Sequence, residues 1–121
     1  MASKILVADD SPTQLKLILA PLQANNYQVV TASDGEEALK IALEEHPDLI
    51  ILDVVMPNMD GFQACRKIKH TEELKNIPVI MLTSKNQKTD EFWGKKQGAD
   101  EYLTKPFKEQ ELLETVARKL A

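Results

Sequence analysis

Leu49-Ile50-Ile51-Leu52-Asp53 is a run of four consecutive apolar residues that stops on a carboxylate. A strand with one wet face alternates apolar and polar side chains, whereas a strand covered on both faces reads as an unbroken apolar run. This stretch is therefore expected to be a strand of a parallel sheet, buried on both sides. Lys4–Ala8 and Val79–Leu82 share the pattern, and Gln28–Thr31 and Glu101–Thr104 complete the set of short runs.

The segments between them carry helical spacing. Leu15, Ile18, Leu19 and Leu22 fall at i, i+3, i+4 and i+7; Ala38, Leu39, Ala42 and Leu43 make a second stripe. Phe62, Cys65 and Ile68 make a third, and Leu112, Leu113, Val116, Ala117 and Leu120 the last. Ser11 is placed to cap the first helix, with Pro12 at its first position and Gln14 closing a capping box. Ser33 with Glu36, or Asp34 with Glu37, offers the same device to the second helix. Pro21 is expected to kink or shorten the first. The order is βα repeated five times, which with right-handed crossovers gives a doubly wound α/β fold: a five-stranded parallel sheet with helices on both faces.

Composition agrees. The chain has 121 residues, 43% hydrophobic and 28% charged, enough for one domain that buries roughly two-thirds of the surface of its unfolded chain. Nineteen acids against 15 bases give a net charge of −4, which does not favour nucleic-acid binding. The single Cys65 makes no intramolecular disulfide and no zinc site. The apolar stretch after Lys4 is too short for a signal core or a membrane span, so the cytoplasm is the expected location. A single domain over 1–121 with no output domain is expected.

In an open parallel sheet, ligands bind beyond the carboxyl ends of the strands. There the first run ends in Asp9-Asp10, the third in Asp53, the fourth in Thr83 and the fifth in Lys105. Taken singly, each has an ordinary reading: loop acids, a turn residue, a strand-end hydroxyl, a surface amine. Four complementary strand ends out of five form a site. Three close carboxylates repel, raising the pKa of at least one unless a cation neutralises them, and oxygen-only ligands suit Mg²⁺. Thr83 and Lys105 are placed to bind phosphoryl oxygens, and an aspartate held there can act as a nucleophile that forms an acyl phosphate.

Val7-Ala8-Asp9-Asp10, the stretch Asp53-Val-Val-Met-Pro-Asn-Met-Asp-Gly61, Thr83-Ser84, Gly98-Ala99 and Tyr102-Leu-Thr-Lys-Pro-Phe107 together resemble the receiver domain of two-component response regulators, over the whole chain. The resemblance is to the single-domain, CheY-like kind. It implies a flavodoxin-like sheet of order 2-1-3-4-5. It also implies that Asp53 is the phosphoacceptor, that Asp10, Asp53 and the Val55 backbone carbonyl bind Mg²⁺, and that Asp9 acts through a metal-bound water. Thr83 and Tyr102 would be a switch pair, and Lys105-Pro106 would be joined by a cis peptide. A sensor histidine kinase or phosphotransfer protein would donate the phosphoryl group. Partner binding would change at the face made by helix four, strand five and helix five. Ser84-Lys85 through Trp93-Gly94, with Gln97-Gly98-Ala99, looks like regulators of the twitching-motility and type IV pilus group.

Helix four, about Lys88 to Gln97, has only Phe92 and Trp93 as large apolar residues, about 100° apart. Gly94 costs about 1 kcal/mol there, so a weakly held helix is expected. Apolar Val55 is expected to slow self-hydrolysis, since it cannot orient an attacking water. His46 and His70 are expected at helix ends, outside the site. The chain is expected to be a monomeric switch without external turnover, binding neither nucleic acid nor membrane. A small Mg²⁺-dependent aspartyl-phosphate hydrolase and a phosphate-independent binding module of the same fold are the alternatives.

Overall fold

The computed structural model describes residues 2–121. Strands and helices alternate as β1 (Lys4–Ala8), α1 (Pro12–Ala24), β2 (Gln28–Ala32), α2 (Gly35–Glu45), β3 (Leu49–Leu52), α3 (Gly61–Lys69), β4 (Val79–Thr83), α4 (Lys88–Lys96), β5 (Glu101–Thr104) and α5 (Glu109–Leu120). All neighbouring strands pair in parallel, in the order β2-β1-β3-β4-β5. Every residue of β3 and β4 is buried, which explains their unbroken apolar runs.

The period of two sorts these residues between two cores. Leu6, Ala8, Ile50, Leu52, Val79 and Met81 point to one face and pack with Ala38 and Ala42 of α2 and with Ala64, Cys65 and Ile68 of α3. Ile5, Val7, Leu49, Ile51, Ile80 and Leu82 point to the other and pack with Ile18 and Leu22 of α1 and with Leu112 and Val116 of α5. Leu43, part of the α2 stripe, is exposed.

Local signals set the helix starts. The Gln14 N–H donates to Ser11 Oγ over 3.3 Å, one half of the expected capping box. Asp34, not Ser33, caps α2: its Oδ1 accepts from the Glu37 N–H at 2.8 Å, while the Glu37 carboxylate accepts from the Ser33 N–H. Asp60 caps α3 through the Gln63 N–H at 2.9 Å, a cap not singled out from sequence. Pro21 does not end α1, which runs on to Ala24. The carbonyl left without a helical donor is that of Leu17, an exposed residue. His46 and His70 are the C-caps of α2 and α3, away from the acids, as expected. The Lys105–Pro106 peptide is cis.

Cys65 is completely buried, and burial pushes its thiol up to about 12. With a negligible thiolate fraction and no access, it is expected not to react with a disulfide reagent at about pH 8 until the protein unfolds. Thiol titration with and without denaturant checks this; rapid labelling of the native protein would contradict the packing of α3.

Candidate functional site

Strand register brings the polar strand ends to one edge. Ala8 lies beside Leu52, so the residues that follow, Asp9 and Asp53, are neighbours, and the Asp53 N–H donates to the Ala8 carbonyl at 3.0 Å. Asp10 follows at the mouth, exposed, and one carboxylate oxygen from each of Asp9, Asp10 and Asp53 lies within 4.8 Å of the others. The Lys105 N–H donates to the Thr83 carbonyl at 2.8 Å, which places Lys105 just past the end of β5. Its ammonium then reaches across the edge, 2.6 Å from Asp9 Oδ2 and 3.1 Å from Asp53 Oδ2.

Nearly all of this is sheltered. Asp9 is 1% exposed and Asp53 8%. Burial raises the Asp9 pKa, opposed by the Lys105 hydrogen bond and the Ser11 N–H, with the Asp53 charge pushing it further up. This is the perturbation expected of crowded carboxylates. Burial by itself disfavours a charged Lys105, yet its hydrogen bonds to Asp9 and Asp53 outweigh that and hold its pKa above the usual value. The ammonium therefore stays protonated. Asp53 Oδ1 accepts from the N–H groups of Val54 at 2.6 Å and Val55 at 3.3 Å, which orients the carboxylate from its own loop.

Val55 stands at the rim of the cleft, and among the described residues no group donates to its carbonyl oxygen. Three hard carboxylates and a nearby carbonyl, with no sulfur or imidazole, are a donor set that suits Mg²⁺. The cleft has a volume of about 650 Å³ and extends from the acids past Ser84 to Gln14 and Leu17 of α1 and to Phe107. Ser84, Gln14, Leu17 and Phe107 were not assigned site roles from sequence. Leu17 sits on the outer side of the α1 stripe, which in hindsight marks it as a rim residue.

Thr83 is at the end of β4 as expected, but its hydroxyl does not meet the acids. It is fully buried, and its Oγ1 accepts from the Lys85 N–H at 3.3 Å. Tyr102 reaches the same residue from the other side, its hydroxyl donating to the Lys85 carbonyl at 2.7 Å. Burial, then the charges of Asp90, Asp53 and Glu91, push the Tyr102 phenol up to about 12. The Tyr102 ring lies against α4 where Gly94 leaves room, since a Cβ there would sit 2.8 and 2.9 Å from two ring carbons. Gly94 thus has a packing reason that helix propensity does not reveal. Beyond it, Phe92 and Trp93 are 56% and 54% exposed, with edge-to-face rings 5.8 Å apart.

A model described as "Response regulator receiver domain" matches residues 5–117. The chain is 44% identical to Protein PilH of Pseudomonas aeruginosa over 98% of both chains. It resembles the structure of chemotaxis response regulator CheY4 of Vibrio cholerae, at 37% identity and TM-score 0.91 over 98% of each chain. It also resembles the receiver domain of sensor histidine kinase PA1611 of Pseudomonas aeruginosa, at 32% identity and TM-score 0.92, over 99% of this chain and 98% of that one; that structure has a magnesium ion coordinated in its active site cleft. Other matching relatives are longer: the chain spans 46% of the alkaline phosphatase synthesis transcriptional regulatory protein PhoP of Bacillus subtilis.

Proposed function

The chain belongs to the response regulator receiver domain family, and on that premise we propose that it is a phosphorylation-controlled switch in which Asp53 accepts a phosphoryl group. The observation that carries this reading is the partly buried Lys105 ammonium held between Asp9 and Asp53, beside exposed Asp10, at the mouth of one cleft. A nucleophilic carboxylate, a fixed cation and an oxygen-rich ligand set are what in-line phosphoryl transfer requires.

In the proposed transfer, a carboxylate oxygen of Asp53 attacks the phosphorus of a phosphohistidine on a kinase or phosphotransfer protein. The P–N bond breaks, its electron pair leaves with the imidazole, and an acyl phosphate remains on Asp53. Asp10, Asp53 and the Val55 carbonyl would hold Mg²⁺, with Asp9 contacting it through water. Bound there, the ion would offset charge on the phosphoryl oxygens. Lys105, already 3.1 Å from Asp53, is positioned to pair with another of those oxygens.

Lys85 links the site to the surface. Thr83 holds its N–H and Tyr102 holds its carbonyl. A phosphoryl group with up to about two negative charges and three strong acceptors would draw the Thr83 hydroxyl off Lys85, changing the seat on which Tyr102 rests. The consequence would reach α4 through the contact between Tyr102 and Gly94, and so the face formed by α4, β5 and α5. The chain would act as a single receiver domain, a cytoplasmic monomer that signals by binding a protein partner. No helix among the described residues is long and apolar enough to cross a membrane. The similarity to Protein PilH favours an output within the twitching-motility and type IV pilus group. Val55, exposed at the rim, would leave an attacking water unoriented and lengthen the life of the acyl phosphate.

Intact-protein mass after incubation with acetyl phosphate tests this. One added phosphoryl group, dependent on Mg²⁺, is the expected result. Steady release of phosphate without an adduct would indicate a hydrolase instead. A folded protein showing neither would be a phosphate-independent binding module.

A further inference from the structure

We propose that Asp34 and Asn58, neither of which touches the acid cluster, are a positioning pair that holds the Val55 carbonyl in place for the cation; this rests on the proposed reading of that cluster as a Mg²⁺ site. The loop that joins β3 to α3 is pinned at both ends. At its start, the N–H groups of Val54 and Val55 donate to Asp53 Oδ1, and the Gly61 N–H donates to the Val54 carbonyl at 2.8 Å. At its far end, the Gly35 N–H donates to the Met59 carbonyl at 2.9 Å, and the Asn58 side-chain amide donates to Asp34 Oδ2 at 2.8 Å.

Between these anchors lies the segment that carries the Val55 carbonyl. The Val55 side chain is 54% exposed, so packing does little to fix the direction of that carbonyl. The anchors must do it. One of them is Asp53, which is itself part of the chemistry. The other is the start of α2, where both carboxylate oxygens of Asp34 are engaged: Oδ1 caps the helix through the Glu37 N–H while Oδ2 accepts from Asn58. The Glu37 N–H, and after it the Asn58 amide, hold the Asp34 carboxyl below its usual range, so it is a charged acceptor at neutral pH. Asn58 has φ 65°, a left-handed conformation that Asn adopts at low cost and that turns its amide toward α2. The loop and the helix start are in direct backbone contact, since a Cβ at Gly35 would overlap the Met59 carbonyl oxygen.

Three variants separate positioning from mere stability. Asn58→Gly keeps the left-handed backbone and removes the amide. Asn58→Asp sets a second carboxylate against Asp34. The double variant Asp34→Asn/Asn58→Asp restores a donor and an acceptor with the polarity reversed, and the asparagine introduced at the helix start is still a good cap. Mg²⁺ affinity is measured calorimetrically without any phosphodonor, and amide hydrogen exchange is followed at Gly35. The expected result is Mg²⁺ binding about tenfold weaker in Asn58→Asp, several-fold weaker in Asn58→Gly, and restored to within about twofold in the double variant. Exchange at Gly35 accelerates in the single variants and recovers in the double. Single variants that bind Mg²⁺ as the wild type does would overturn the positioning role, as would a double variant as weak as Asn58→Asp. A wild-type protein that binds no Mg²⁺ would overturn the metal reading itself, which is a distinct outcome.

Discussion

Asp53→Asn is expected to take up no phosphoryl group from acetyl phosphate while staying folded. The amide oxygen of asparagine is a far weaker nucleophile than a carboxylate, so the acyl phosphate does not form and the loss of uptake is about 10³-fold or more. The fold has little reason to change. An asparagine Oδ1 can still accept the Val54 N–H that now reaches Asp53 Oδ1 at 2.6 Å. Lys105 loses its 3.1 Å partner but keeps Asp9 at 2.6 Å. The Asp53 charge raises the Asp9 pKa, so its removal relieves one carboxylate repulsion as it breaks one ion pair. The melting temperature is therefore expected to stay within about 5 °C of the wild type. Intact mass and a thermal scan on one sample decide the matter. An Asp53→Asn protein that still gains a phosphoryl group would move the acceptor to another side chain.

Gly61→Ala is expected to lower stability by about 2 kcal/mol, against what helix propensity alone suggests. Gly61 is the first residue of α3, where alanine is the better helix former by about 1 kcal/mol. The helix, however, starts directly under the Asp53 peptide. A Cβ at Gly61 would overlap the Asp53 carbonyl oxygen and lie 2.9 Å from the Val54 Cα. The Gly61 N–H bonds the Val54 carbonyl at 2.8 Å, so neither segment can withdraw without breaking that bond. Overpacking against backbone that cannot move costs about 1–3 kcal/mol, occasionally more, and outweighs the propensity gain. Because the displaced peptide is that of Asp53, phosphoryl uptake should slow as well. Urea unfolding of the two proteins gives the answer. A Gly61→Ala protein as stable as the wild type would show that the loop yields where close packing says it cannot.

Most of the site was legible because a parallel sheet is an alignment device. Once Lys4–Ala8 and Leu49–Leu52 are read as neighbouring strands, Asp9 and Asp53 must emerge side by side, and the observed pairing of Ala8 with Leu52 places them so. Lys105 was legible for the same reason, although its strand pairs only with β4. The resemblance to receiver domains supplied the strand order, which periodicity alone leaves open. Thr83 was placed correctly at a strand end, but where its hydroxyl points was not readable, because that depends on the Lys85 N–H in the following loop. Gly94 reads from sequence only as a weakness of α4. Its reason is the Tyr102 ring, which belongs to a different element. Pro21 was expected to kink or shorten α1, yet the helix continues past it to Ala24, and the residue whose carbonyl it deprives of a donor, Leu17, is exposed.

What the sequence determined by itself is whatever repeats along the chain with a fixed period or acts within a few residues. That covers the number and order of elements, the two apolar faces of the sheet, the Ser11 cap, and the strand ends on which the acids and Lys105 sit. What only the tertiary structure decided is which polar groups meet when they are far apart in sequence. Asp34 and Asn58 are 24 residues apart, and Lys105 and Asp9 are 96 apart. The physical reason is range. Periodicity and capping depend on backbone geometry over one or two turns, whereas a hydrogen bond about 3 Å long between distant residues depends on how every intervening element packs.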